Sequence, residues 1–135
     1  MKYNKEAAEH LYRAARMYEL YGAEHLSDPD FVMRECNGIG ADWMPDAATI
    51  LCTKLNSVME VPAAIHDAMY AKGIQRDAAD LEFLSNTIKV IQHEYAWWRP
   101  KRYILMRRAM RYYTYLVMFG GKAWEEARRK HNGQR

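Results

Sequence analysis

Cysteine is scarce in this chain: Cys36 and Cys52 are the only two in 135 residues. Two thiols build no disulfide framework, so a packed core has to hold the fold, and a reduced, cytoplasmic setting is the expectation. Long apolar runs are missing as well. No stretch of about 18 apolar residues occurs, which excludes a membrane-spanning helix. The opening Met1 to Leu11 is polar and charged, so no secretory signal is expected. Alternating apolar and polar runs of the kind that build half-buried strands are absent, as are repeats and low-complexity tracts. What remains is one helical domain over residues 1–135. A chain of this length buries about two-thirds of its unfolded surface and needs neither metal nor disulfide merely to fold.

The net charge of +3 conceals an uneven spread. Residues 1–98 carry 9 Lys/Arg and 15 Asp/Glu, whereas residues 99–135 carry 11 Lys/Arg and 2 Asp/Glu. Such asymmetry suggests an anionic partner for the basic C-terminal helices of 99–135: a phospholipid surface, an acidic protein or, ranked lower, a nucleic acid. A solvated helix face explains the same charges equally well.

Helical spacing organises the chain. Asn4 caps a first helix expected to run to about Tyr21, with Ala7, Leu11, Ala14, Ala15 and Tyr18 as its apolar stripe. Asp28-Pro29-Asp30 reads as a turn or a helix start, and 36–47 as a loop. Residues 48–59 fit a short helix or irregular chain. Pro62 suits the first position of a helix, and Gly73 a left-handed stop. A helix from about Asp77 to Trp97 follows, with Leu81, Leu84, Ile88, Ile91 and Tyr95 on one face and Asp77 as a cap. Arg99-Pro100 breaks it. Helices from about Lys101 to Phe119 and from Ala123 to Lys130 complete an all-α reading. In it, two antiparallel helices carry a His/Asp site and flanking N- and C-terminal helices cover it.

That site begins at Pro62-Ala63-Ala64-Ile65-His66-Asp67-Ala68-Met69-Tyr70. Adjacent helical residues point about 100° apart, so His66 and Asp67 serve different partners, while Tyr70 lies on the face of His66. An antiparallel neighbour brings the first turn of the next helix to His66, where Asp80 is the better candidate to fix the imidazole tautomer. Upstream, Cys36-Asn37-Gly38-Ile39-Gly40 forms a Gly-x-Gly loop able to turn carbonyls inward. Calcium, a hard ion, accepts carbonyl and carboxylate oxygens, and Asp67 supplies the charge. Such an ion polarises an ester carbonyl and holds the oxyanion.

Together these residues resemble the phospholipase A2 superfamily, in which a calcium loop is followed by a helix bearing His-Asp-x-x-Tyr and an antiparallel helix bearing a second aspartate. The similarity is greatest to the short, disulfide-poor members of bacteria, prophages and the parvovirus capsid. There the second helix opens with Ala-Asp-x-x-Phe, matched by Ala79-Asp80-Leu81-Glu82-Phe83. The resemblance covers about 36–92, the core of the site, and the stretch from Arg107 to Trp124 is similar to the tails of prophage proteins with this motif. It implies a calcium-dependent phospholipid esterase. His66 would activate water, Asp80 would orient His66 and Tyr70 would support that network. Asp67 would bind calcium with the backbone carbonyls of Cys36, Gly38 and Gly40. The stretch from Gly40 to His66 is longer than in the secreted enzymes, and Asp42-Trp43-Met44-Pro45 follows the loop in place of further glycines.

Other readings stay open. The resemblance also accommodates an inactive scaffold used as a phage or prophage binding or assembly protein, peripheral to a membrane or associated with a particle. A metal-dependent phosphate-ester hydrolase would need more ligands than His10, His25, His93 and His131 provide by spacing. Tyr95, Trp97, Trp98, Tyr103, Tyr112, Tyr113 and Tyr115 read first as core, and otherwise as an interfacial set beside Arg99, Lys101 and Arg102 suited to lipid headgroups or to single-stranded nucleic acid.

Overall fold

A computed structural model describes residues 3–36, 38 and 56–133, with side chains as far as Lys130. Those residues form six α-helices and no strand: α1 Lys5–Met17, α2 Pro29–Glu35, α3 Glu60–Ala71, α4 Arg76–Glu94, α5 Pro100–Phe119 and α6 Gly121–Gly133. Two single 3₁₀ turns, Ala23–Leu26 and Ser57–Met59, join them. None of the helices is long and apolar enough to cross a membrane. Of the loop expected at 36–47 only Cys36 and Gly38 are described; its other residues, Gly40 included, and most of the ambiguous stretch 48–59 lie outside the described residues.

Local chemistry sets the helix ends. The Asn4 side chain accepts the Ala7 N–H at 2.8 Å and starts α1. This helix stops at Met17, short of Tyr21, because Glu19 turns left-handed (φ 56°). The Leu20 and Glu19 N–H groups then close back onto the Ala15 and Arg16 carbonyls, the pattern of a Schellman cap. Asp28 caps α2 by accepting the Asp30 N–H.

Helix α3 starts at Glu60 rather than at Pro62. Pro62 still falls within the first four positions, whose N–H groups have no intrahelical acceptor, so its missing donor permits two earlier residues. Gly73 (φ 77°) ends the helix as expected, with Gly73 and Ile74 donating to the Tyr70 and Met69 carbonyls. Asp77 does not cap α4. It sits inside the first turn and accepts the Ala78 N–H, while Gln75 occupies the cap. Helix α4 ends at Glu94, before Trp97, where Tyr95 becomes extended.

The four-residue connection Lys72–Gln75 makes α3 and α4 antiparallel neighbours, and α4 also packs along α5. Being covered from two sides, α4 buries more than one stripe. Leu84 and Ile91 are buried as expected, but Leu81 is 52% exposed, and Asp80, Asn86 and Thr87 take buried places. A stripe drawn from hydrophobicity cannot flag these polar positions, whose groups are matched one by one. Asn86 accepts the Tyr21 N–H at 3.0 Å and donates to the Tyr21 carbonyl at 2.9 Å. Thr87 donates to the Phe83 carbonyl. Leu11, Ile65, Met59, Phe83, Ile91 and Leu105 fill the core around them, each large apolar side chain contributing about 1.5–3 kcal/mol on burial.

The basic C-terminal helices are docked on this core, and part of their charge is used internally. Arg128 of α6 donates to the Tyr70 carbonyl at 2.9 Å and also to the Ala71 carbonyl, capping the C-terminal end of α3, where cations are favoured. Trp124 donates to the Ile74 carbonyl and Lys130 lies 3.7 Å from Glu35. In return, Arg76 of α4 donates to the Leu116 and Val117 carbonyls at the end of α5.

Candidate functional site

Helix α3 presents two different stripes. His66 and Tyr70, one turn apart, face α4. Glu60, Ala64 and Asp67 share another face by their i, i+4, i+7 spacing, directed at the N-terminal residues and the end of α2. The Glu60 carboxylate accepts the Tyr3 hydroxyl at 3.4 Å, and the Cys36 thiol meets the Ala64 carbonyl at 3.3 Å. His66 and Asp67 thus turn toward different neighbours, as their 100° offset requires.

On the α4 side the three expected residues meet. His66 Nε2 lies 2.7 Å from Asp80 Oδ1, and the Tyr70 hydroxyl donates to the same oxygen at 2.6 Å. All three residues are buried, Asp80 almost completely at 1% exposure. Arg76, one turn before Asp80 on α4, brings its Nε to 3.8 Å from Asp80 Oδ2. Burial alone pushes the Asp80 carboxyl up. Hydrogen bonds from His66 and Tyr70, with the charges of His66 and Arg76, outweigh it and hold the group below its ordinary value. The same carboxylate acts oppositely on Tyr70, whose phenol is pushed well up by burial and then by Asp80.

This geometry fixes a tautomer. An ionised carboxylate only accepts, so Nε2 of His66 carries the proton and, in the neutral ring, Nδ1 is the basic nitrogen. The ring is clamped between aromatic neighbours, with Tyr70 at 4.1 Å between centroids and Phe83 edge-on at 5.7 Å. An imidazole so held can take a proton from water at one defined atom while Asp80 compensates the charge that develops.

On the other stripe, Asp67 is half-buried, with its Oδ2 shielded from solvent. Its charge is felt by the Tyr3 phenol, which burial, Glu60, Asp67 and Cys36 together push well above the usual tyrosine range. Asp67 and Cys36 therefore both act on the same buried ring, and Gly38 is buried with φ 86°. A carboxylate is the oxygen chemistry that calcium accepts. The described residues fit such an ion to that extent. Among them no three His, Cys, Asp or Glu side chains cluster as a metal site. Gly40 lies outside the described residues.

Sequence reasoning missed the outer support of the triad. Arg76 was legible in principle, four residues before Asp80 on the same helix. Arg128 gave no local signal, because it reaches Tyr70 through tertiary docking alone. Gly120, the residue that follows α5, also borders the triad. A Cβ there would lie 2.5 Å from the Leu116 carbonyl oxygen and 3.2 Å from the Tyr70 hydroxyl. Gly120→Ala is therefore expected to cost about 1–3 kcal/mol through overpacking and to loosen the Tyr70–Asp80 bond, measurable as a lower urea midpoint with unchanged slope. Among the described side chains, His10, His25 and His93 stand apart from the triad. His25 contacts Lys72, and His93 is exposed beside Glu94.

The aromatic cluster also departs from expectation. Trp97, Trp98, Tyr103 and Tyr115 are exposed, and only Tyr95, Tyr112 and Tyr113 pack partly against the core. Comparison with protein-family models, curated proteins and solved structures returns no match for this chain.

Proposed function

We propose that this chain is a calcium-dependent ester hydrolase acting on phospholipids, with His66 as its general base. The observation that carries this reading is the buried His66–Asp80 contact of 2.7 Å, reinforced by Tyr70 on the same carboxylate oxygen. Asp80 holds the imidazole with its proton on Nε2. Nδ1 takes a proton from water as the water attacks the ester carbonyl, and returns it to the leaving alcohol. Tyr70 keeps Asp80 in register with His66, and Arg76 adds positive charge on the far oxygen. Asp67, with the carbonyls of Cys36, Gly38 and Gly40, would hold the calcium. When bound, that ion polarises the carbonyl and stabilises oxyanion charge.

Exposed Trp97, Trp98 and Tyr103 beside Arg99 and Lys101 support a lipid surface as the place of action, since aromatic and basic side chains together favour the headgroup region. The test is fatty-acid release from mixed anionic and zwitterionic vesicles with calcium and then with chelator. Calcium-dependent release, reduced by about 100-fold or more in His66→Ala, is the expected result. A folded chain that releases nothing in either condition would reject the enzyme and favour the second reading, an inactive scaffold that binds a partner. That second reading draws on the same exposed aromatic and basic side chains at and just before the start of α5, which a binding protein would use equally well.

A further inference from the structure

A cleft of about 310 Å³ opens between α1, the turn before α3 and the end of α4. Buried Leu11, Val58 and Val90 give it an apolar floor. Carboxylates from two helices stand in its walls, Glu60 at the start of α3 and Glu94 at the end of α4. Each is held by a phenol: Tyr3 donates to Glu60 at 3.4 Å, and Tyr18 donates to Glu94. A carboxylate can accept about four hydrogen bonds, so one phenol fixes its position without exhausting it. His93 backs the second pair, 3.7 Å from Glu94 and edge-on to the Tyr18 ring. Burial pushes the Glu60 carboxyl up, and the Tyr3 bond and His10 act against it. A cation in the cleft would offset the solvation that burial removes. The sign reverses at Tyr95, which lines the same cleft. Lys101 Nζ and the Arg99 guanidinium lie 5.7 and 6.0 Å from the centre of its ring, and Arg102 donates to its carbonyl at 3.3 Å.

We propose that this cleft binds a zwitterionic phosphate ester of the phosphocholine type, with its ammonium between Glu60 and Glu94 and its phosphate at Lys101 and Arg99. A trimethylammonium group spreads its charge over an apolar shell, so carboxylates, the Tyr18 ring and an aliphatic floor suit it together. The phosphate draws ammonium and guanidinium donors, and both Arg99 and Lys101 are exposed. A plain anion would meet the two carboxylates, and a plain cation would meet the basic side chains around Tyr95. A zwitterion fits both ends. The volume lies at the lower end for ligand clefts, enough for a headgroup rather than for acyl chains. The cleft and the triad share no residue, so the assignment stands without the hydrolase reading.

The experiment is calorimetry on the wild-type chain in chelator, so that its outcome is independent of calcium-driven turnover. Free phosphocholine and monomeric dihexanoylphosphatidylcholine are the probes, and the tighter of the two identifies a soluble ester or a lipid headgroup as the source. Saturable binding of at least one is expected. Glu94→Gln should weaken it about tenfold or more, since the amide keeps the Tyr18 bond and loses the charge. Choline and glycerol phosphate, each with one pole of the zwitterion, should also bind at least about tenfold more weakly. Glu9→Gln serves as the control, because Glu9 is exposed on α1 but does not line the cleft. It should change affinity by less than about twofold, as expected for a screened surface charge. Absence of saturable binding to either probe by the folded chain would overturn the proposal. So would a one-pole probe that bound as tightly as the zwitterion. Equal weakening by Glu94→Gln and Glu9→Gln would do the same, by reducing the effect to diffuse surface charge.

Discussion

Asp80→Asn is expected to lower kcat for calcium-dependent phospholipid hydrolysis by roughly 10³- to 10⁴-fold, with KM little changed. The substitution preserves shape, so packing is not what it tests. It removes the negative charge that compensates the imidazolium formed when His66 takes a proton. It also offers an amide that can donate to Nε2, which moves the ring proton to Nδ1 and blocks that nitrogen as a base. Loss of the orienting carboxylate in histidine-based hydrolysis costs about 10⁴-fold where the geometry otherwise survives. Tyr70→Phe removes one of the two donors on Asp80 Oδ1 and leaves charge and tautomer in place, so its effect should be smaller, within about tenfold. The measurement is steady-state release from a fluorogenic phospholipid at saturating calcium, with circular dichroism to confirm the fold. If Asp80→Asn proved no slower than Tyr70→Phe, the carboxylate would be structural and the base would lie elsewhere.

Why the triad was legible in the sequence while its surroundings were not follows from the range of the forces involved. His66, Tyr70 and Asp80 lie on two consecutive helices joined by four residues, Lys72–Gln75. Helical periodicity and a short antiparallel connection then suffice to bring 66 and 70 against 80. The same arithmetic separates His66 from Asp67. The helix limits moved by a few residues wherever a cap was made by backbone geometry rather than by a recognisable side chain, as at Glu19 after α1 and Gln75 before α4. The burial of Asn86 and Thr87 was not legible, because a polar residue enters a core only if tertiary structure supplies its partners. For Asn86 those partners are the backbone groups of Tyr21, 65 residues away. Arg128 over the end of α3 and the coverage of α4 by α5 depend likewise on docking that no local pattern encodes. Exposure of Trp97, Trp98 and Tyr103 reverses the reading of aromatics as core for a related reason. Helix α5 has one core-facing edge, at Leu105 and Ala109, and the chain provides more rings near it than that edge can cover.

The acid limb of stability gives the second large effect. Asp80 is ionised, buried and hydrogen-bonded, and its folded-state pKa lies below its ordinary value. At pH values between the folded and unfolded pKa, the unfolded chain binds more protons than the folded one, so stability rises with pH there. Asp80 therefore contributes its stabilisation fully above the unfolded value of about 4 and loses it as pH falls through the lower folded value. Removing the carboxylate altogether is harsher. Asp80→Ala leaves His66 Nε2, the Tyr70 hydroxyl and the Arg76 guanidinium facing an apolar gap, and breaking a buried pair in this way costs about 3–5 kcal/mol. Asp80→Asn should cost less at pH 7, because the amide oxygen can still accept from Tyr70. Urea unfolding of wild type and Asp80→Asn from pH 7 to pH 3 separates these effects. The wild-type advantage should shrink as pH falls below about 4. His25, whose imidazole burial and Lys72 hold below the usual histidine value, also destabilises the fold on acidification, but it does so identically in both chains. Its contribution cancels in the difference. An advantage that stayed constant to pH 3 would mean that Asp80 carries no depressed pKa, and would remove the electrostatic basis for the tautomer assigned to His66.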